Sequence, residues 1–348
     1  MRELWFAIVA VMFTGYVVLD GYDLGAGALH LFVARTGDER RRVLAAVGPF
    51  WDANEVWLLA AGGALFVAFP RVLASGLSGF YLAIFLVIWA LILRALAIEF
   101  RSHVTDGLWR GFWDTVFAVA SALLAILFGA AIGNVIRGLP LDADGWFALT
   151  LFTSFGTSPP VGILDWYTVL TGVFALVALV GHGAVFLVWR TDGAVAERAR
   201  RVAGVAYAAL AVLWVVVTAA TAVVNPDLFG ALGHRPLAWL GLLLAVGGLA
   251  TVITGLRGNR PLASFLGSSA WIAGMLVATA ACLFPVLLRA IPDPALSLTV
   301  ANGGNTAEGL RPALGWWLVG FPIAVAYFVM LFRIHRGKAV AAREGEGY

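Results

Sequence analysis

Residues 5–33 read WFAIVAVMFTGYVVLDGYDLGAGALHLFV, a run interrupted by only two carboxylates, Asp20 and Asp23. A helix needs about twenty apolar residues to cross roughly 30 Å of hydrocarbon, so this stretch reads as a membrane span. It is too long for a straight crossing. It tilts, projects beyond the membrane, or breaks near Gly21, Gly25 and Gly27. Arg2 ahead of an apolar run resembles a secretory leader, but no small-residue cleavage site stands out, and the segment reads as an uncleaved first helix.

Eight further runs meet the same criterion: 49–70, 76–99, 113–136, 161–189, 202–224, 236–256, 262–290 and 313–334. The whole chain supports them. Of its 348 residues 61% are apolar and only 12% charged, against about 25% charged in a soluble domain. The expected fold class is therefore all-α: a polytopic membrane helix bundle of about nine transmembrane helices, a single membrane domain over 1–348. The basic pI does not signal nucleic acid, because the charges lie in short loops and form no stripe. The lone Cys282 can build neither an internal disulfide nor a thiolate metal site.

The loops set orientation. Arg35, Arg40, Arg41, Arg42, Arg101, Arg110, Arg190, Arg198, Arg200, Arg201, Arg257, Arg260, Arg333, Arg336, Lys338 and Arg343 fall on one side, sixteen in all. Six fall on the other: Arg2, Arg71, Arg137, Arg235, Arg289 and Arg311. The positive-inside rule then puts the N-terminus outside and the C-terminus in the cytoplasm, with a cytoplasmic tail over 335–348.

A charge at the bilayer centre costs about 2.5–3.5 kcal/mol on the insertion scale, so each one calls for a reason. Asp20 and Asp23 share a helical face. Asp52 and Glu55 open the second span, Arg94 and Glu99 close the third, and Asp114 opens the fourth. Under the topology above these groups descend inward from the cytoplasm as a ladder of carboxylates beside one arginine. One reading is a proton conduit, since carboxyls in low dielectric favour the neutral form and exchange protons near neutral pH. The other is structural. Asp52, Glu55, Glu99 and Asp114 would sit at hydrated helix ends, the first two favoured by a helix N-terminus, and Arg94 would pair with one buried aspartate.

Only His182, in Gly181-His182-Gly183, lies well inside a span, and no second histidine at matching depth completes a bis-His haem site. His182 reads as a hydrogen-bonded packing group, with no catalytic residue and no metal ligand expected in the chain. The aromatics Trp51, Trp57, Phe66 and Tyr81 crowd spans two and three. They serve either as quinone or lipid contacts or as interface belts and helix packing.

Several of these residues fall into a known pattern. Asp20-Gly21-Tyr22-Asp23-Leu24-Gly25-Ala26-Gly27 resembles the N-terminal signature of subunit II of cytochrome bd-type quinol oxidases. Trp51-Asp52-Ala53-Asn54-Glu55-Val56-Trp57-Leu58 resembles that family's second-helix block, and Arg94 with Glu99-Phe100-Arg101 its third helix. Leu283-Phe284-Pro285 and Ser297-Leu298-Thr299 fit later positions. The match is dense over signature helices 1–115 and sparser through the remaining bundle, 116–334.

The resemblance implies a haem-free subunit of the bacterial cytoplasmic (inner) membrane. Its partner would be a haem-bearing subunit I with two b haems and haem d, which oxidises quinol and reduces oxygen to water. It implies proton uptake through Asp23, Asp52 and Glu99 with Arg94 close by, and Glu stands at 55 and 99 where relatives can have Gln and Asp; the ladder read from the residues themselves adds Asp20 and Glu55 to that path. It is compatible with a structural quinone among the aromatics, with small single-helix accessory subunits, and with the cyanide-insensitive branch. A proton-coupled secondary transporter is the alternative. It would show inverted repeats and paired broken helices, whereas only span one is conspicuously Gly-rich in this way. A haem-ligating protein built on His182 is a third reading.

Overall fold

The computed structural model describes residues 1–340, and the tail residues beyond, Arg343 among them, lie outside that range. Twelve helices account for the bundle. They are α1 (Arg2–Val33), α2 (Gly37–Val47), α3 (Trp51–Ala68), α4 (Pro70–Gly79), α5 (Tyr81–Phe100), α6 (Gly107–Arg137), α7 (Trp166–Arg190), α8 (Gly193–Val224), α9 (Pro226–Leu232), α10 (Pro236–Arg257), α11 (Pro261–Leu283) and α12 (Ala307–Ile334). Eight of these are long and apolar enough to cross a membrane. The ninth expected span is α3, whose polar opening Asp52, Asn54 and Glu55 lowers its hydropathy; its 18 residues still reach about 27 Å at 1.5 Å per residue.

Hydrogen bonds between loops sort the helix ends into two layers and show that α3 crosses. At one end Arg198 reaches Val33 O, Arg42 pairs with Asp192, and Arg200 reaches Leu256 O. Lys338 donates there to the carbonyls of Val188, Trp189 and Thr191. At the other end Arg2 holds Ala301 O and Asn305 O, Arg71 holds Asp144 O, and Leu139 N bonds Arg289 O. Helix α3 starts in the first layer, where Phe50 stacks on Phe332. It ends in the second, where Ala68 O accepts from Asn305 N. The arginine-rich loops thus share one end and the long loops, poor in basic residues, the other, the segregation that the positive-inside rule requires.

The boundaries differ from the sequence expectation for local reasons. The run 49–70 ends at Ala68 because Pro70, without an N–H, opens a new helix. The run 76–99 is two helices, α4 capping the outer end and α5 crossing after a kink at Phe80. The run 161–189 starts later, at Asp165, whose side chain caps α7 by accepting from Tyr167 N and Thr168 N. The run 262–290 stops at Leu283 before Pro285, and Val286–Leu288 instead forms strand β1, paired antiparallel with β2 (Leu298–Thr299). Apolar strand and helix segments of this length are indistinguishable by composition.

Helix α1 is the axis of the bundle, packed against α3, α6, α7 and α11. It is continuous over its 32 residues, with no break at its glycines. Those glycines serve close approach. A Cβ at Gly25 would lie 1.8 Å from Leu179 O, and one at Gly183 2.2 Å from Ala26 N. Helices α1 and α7 therefore touch backbone to backbone, as small residues permit in membranes. Gly241, Gly248, Gly267 and Gly274 do the same between α10 and α11. Outward faces of α8 and α10 carry Val205, Val215, Val223, Leu240 and Leu243, all exposed, as lipid contact requires. Helix α12 is peripheral and meets α3 through Trp57, Phe321 and Phe328.

At the arginine-rich end α2 is tied down by charge. Thr36 and Glu39 form a capping box, and Arg198 of α8 pairs with Glu39 at 2.6 Å. That hydrogen bond from Arg198, with those from the backbone of Arg35 and Thr36, holds the Glu39 carboxyl below the usual carboxylate range despite its partial desolvation.

The α1–α7 contact generates a first prediction. Gly25→Ala and Gly183→Ala each force two backbones apart, so each costs more than the ~1–3 kcal/mol usual for overpacking. Gly63→Ala adds its methyl to open space and leaves stability unchanged. Detergent-solubilised protein assayed by size exclusion and thermal melting checks both outcomes.

Candidate functional site

The buried ionisable residues from α1 to the start of α6 fall into two clusters. The first joins α1, α3 and α5. Asp20 and Asp23, three residues apart, face inward from α1, fully buried. Arg94 of α5, also fully buried, donates through Nη1 to Asp20 Oδ1 at 2.7 Å and through Nη2 to Glu55 of α3. Asn54 fills the remaining side. Its Nδ2 donates to Asp23 Oδ2 at 2.6 Å and to the Tyr22 hydroxyl at 2.8 Å. Three carboxyls and one guanidinium thus sit together in low dielectric. Five polar atoms of the cluster are buried without a partner among the described residues: Asp20 Oδ2, Asp23 Oδ1, Asn54 Oδ1, Arg94 Nε and the hydroxyl of the adjacent Tyr16.

Accessibility rises along α3. The Glu55 side chain is 24% exposed, and Asp52, one turn nearer the arginine-rich end, is exposed. Glu99 is exposed near the inner end of α5, where its carbonyl meets His103 Nδ1. Of the six residues the sequence grouped together, Asp20, Asp23, Glu55 and Arg94 converge. Asp52 and Glu99 stand on the bundle surface at the same end.

The second cluster surrounds Asp114, which the sequence placed at the opening of span four. Its carboxylate accepts from Arg101 Nε at 2.5 Å and Arg40 Nη1 at 2.9 Å, and lies 2.6 Å from His30 Nε2. It binds α1, α2, α6 and the end of α5 together, apart from the first cluster. A third ion pair, Arg137 with Asp165, closes the outer end.

Sequence reasoning missed the role of Asn54 and Tyr22, although both lie inside the quoted motifs. An uncharged polar residue next to Glu55 and two positions after Asp52 was the available signal. The histidine and aromatic expectations resolve as follows. His182 spends both ring nitrogens on hydrogen bonds, Nδ1 with Ser268 Oγ and Nε2 with Val18 O, which leaves neither for an iron. Among the described residues no three His, Cys, Asp or Glu side chains converge as metal ligands. Trp51 and Trp57 are buried, whereas Phe66 and Tyr81 point outward, so the four do not line one pocket.

Arg94→Met is predicted to strand Asp20 in the bundle. Removing one partner of a buried pair costs about 3–5 kcal/mol, and the melting temperature of the solubilised protein falls accordingly. An Asp20→Asn substitution on the same background recovers part of the loss, which a double-mutant cycle measures.

The family model of cytochrome bd terminal oxidase subunit II matches residues 1–335. Cytochrome bd ubiquinol oxidase subunit 2 of Bacillus subtilis is 31% identical, the match covering 100% of this chain and 99% of that protein. Cytochrome bd-I ubiquinol oxidase subunit 2 of Escherichia coli K12 is 30% identical, covering 94% and 92%. A chain in the structure of bd oxidase from Geobacillus thermodenitrificans superposes with a TM-score of 0.73 at 16% identity, over 96% of this chain and 98% of that one, which shows a shared fold. With a family model spanning all but its last residues and relatives matched nearly end to end, the chain belongs to the cytochrome bd terminal oxidase subunit II family.

Proposed function

We propose that this chain is the haem-free subunit of a quinol-oxidising, oxygen-reducing complex in the bacterial cytoplasmic membrane, and that its first cluster takes up protons from the cytoplasm. The haem b and haem d groups belong to subunit I in this reading. They supply the electron transfer and oxygen chemistry, while the residues here hold and move protons.

The observation that carries the proposal is the imbalance of the buried cluster. One guanidinium faces three carboxyls, Asp20, Asp23 and Glu55. A buried charge without a counter-charge costs several kcal/mol, so the group gains neutrality by holding protons rather than by ionising fully. The unpartnered atoms at Asp20, Asp23, Asn54 and Tyr16 are donors and acceptors through which water can bridge them. Exposed Asp52 and half-exposed Glu55 put the cluster within reach of the cytoplasmic layer, and Arg94 fixes Asp20 and Glu55 in register. Asp52 and Glu99 are exposed at the arginine-rich ends of α3 and α5, whose exposed surface also carries Phe66, Tyr81, Phe85 and Trp89 farther along. Ionisable groups seldom face lipid, which supports this face as the one that meets subunit I.

In the assembled oxidase, Asp23→Asn, Asp20→Asn and Glu55→Gln should each lower quinol-driven oxygen consumption by about 100-fold or more, the contribution typical of a positioned proton-transferring group. Glu197→Gln, an exposed change on α8 at the same end, should have no effect. Haem absorbance per protein tells impaired assembly from impaired turnover. Full oxygen consumption in an Asp23→Asn/Asp52→Asn double variant would remove the conduit role.

A further inference from the structure

A groove of about 530 Å³ opens at the arginine-rich end between α1, α3, α7 and α12, outside both ion clusters. Its walls are Leu19, Trp57, Trp189 and the face of α12 formed by Val325, Phe328, Val329 and Phe332. These α12 positions follow the i, i+3, i+4, i+7 spacing of one helical stripe. Arg333 and Arg336 continue that stripe past the apolar part and stand at the mouth. Both are exposed, and neither has an ion pair or hydrogen bond among the described residues. The neighbouring cations are otherwise engaged. Arg190 donates to Gly337 O and lies over the Phe50 and Trp189 rings, and Lys338 caps the carbonyls at the end of α7. Deeper in the groove, Trp57 is only 8% exposed, and its Nε1 is buried with no partner.

We infer that this groove holds one anionic phospholipid of the cytoplasmic leaflet, its phosphate on Arg333 and Arg336 and one acyl chain along α12. Three features converge on that occupant. The apolar stripe from Val325 to Phe332 runs about 10 Å along the helix axis at 1.5 Å per residue, the direction an acyl chain takes. Two uncommitted guanidiniums at its cytoplasmic end suit a phosphate, which arginine binds through paired N–H groups, and basic pockets between helices on this side of a membrane select anionic headgroups. The Trp57 ring, only 8% exposed, lines the groove below the mouth and supplies a further apolar surface for the chain. The inference uses only the membrane topology and stands apart from the proton-uptake reading.

Native mass spectrometry of the delipidated oxidase complex, titrated with phosphatidylglycerol or phosphatidylcholine, tests it. One phosphatidylglycerol should be retained in preference to phosphatidylcholine. Arg333→Gln/Arg336→Gln should weaken that retention by about thirtyfold, the loss expected for two interfacial cations. Arg333→Lys/Arg336→Lys should keep most of it, and Arg311→Gln, at the opposite end of α12, all of it. If the double glutamine variant does not assemble, Arg336→Gln alone, beyond the helix end, should still weaken retention several-fold. Equal retention of the two lipids, an unchanged glutamine variant, a bound quinone in place of phospholipid, or crosslinks from a Val329→Cys variant showing subunit I seated in the groove would each overturn the assignment.

Discussion

A guanidinium with no exposed surface sits between three membrane helices, and the first half of the bundle is arranged around it. Arg94 leaves water only because α1 and α3 bring carboxylates to it. Those helices are close enough because α1 can press its glycine face against α7 and turn Asp20 towards α5. The tight α1–α7 contact and the buried ion cluster are therefore two consequences of one face-to-face division of α1. Bare backbone packs on one side, and acidic side chains are directed to the other.

Much of this division was legible in the sequence. Carboxylates three residues apart in an apolar run must share a helix face, and an arginine in a neighbouring run is their natural counter-charge. The spans themselves follow from hydropathy, and the sorting of the loops follows from arginine counts. What escaped the sequence was set by contacts between distant residues. The glycines Gly21, Gly25 and Gly27 look like a break when read alone, and only the neighbouring helices show why they are packing positions: Gly25 meets the backbone of α7, Gly21 the side chain of Leu179, and Gly27 those of Ser121 and Phe117 on α6. Asn54 carries no charge to draw notice, yet it ties Asp23 to Tyr22. The outer strand pair depends on Val286 meeting Thr299, a pairing that local composition does not encode. Asp52 and Glu99 follow the same ladder pattern as Asp20, but their helices turn them outward, which periodicity alone does not fix.

The two layers of loops differ in what their charges do. Arginines at the cytoplasmic end mostly cap carbonyls and pair across helices: Arg198 with Glu39, Arg42 with Asp192, Arg101 and Arg40 with Asp114. They hold the ends of α2, α6 and α8 in place while also fixing orientation in the membrane. The outer layer has few charges and is held instead by loop packing. Phe147, for instance, fills the space that a side chain at Gly79 would occupy, and Ser75 bonds Gly145 O.

Stoichiometry separates a structural ion cluster from one suited to moving protons. Arg137 and Asp165 are matched one to one, and every donor and acceptor around them is used. Arg137 also bonds Gly138 O, Gly162 O and Asn134 Oδ1, while Asp165 caps the first turn of α7. The cluster at Arg94 has the opposite construction. Its carboxyls outnumber its cations, its spare lone pairs have no protein donor, and its outermost members grade into exposure through Glu55. A satisfied pair in low dielectric is rigid, whereas an excess of acceptors is stable only with mobile protons or water to share. The matched pair lies at the outer end, and the unmatched cluster, with its route to exposure through Glu55, lies nearer the arginine-rich end, as the proposed proton uptake requires.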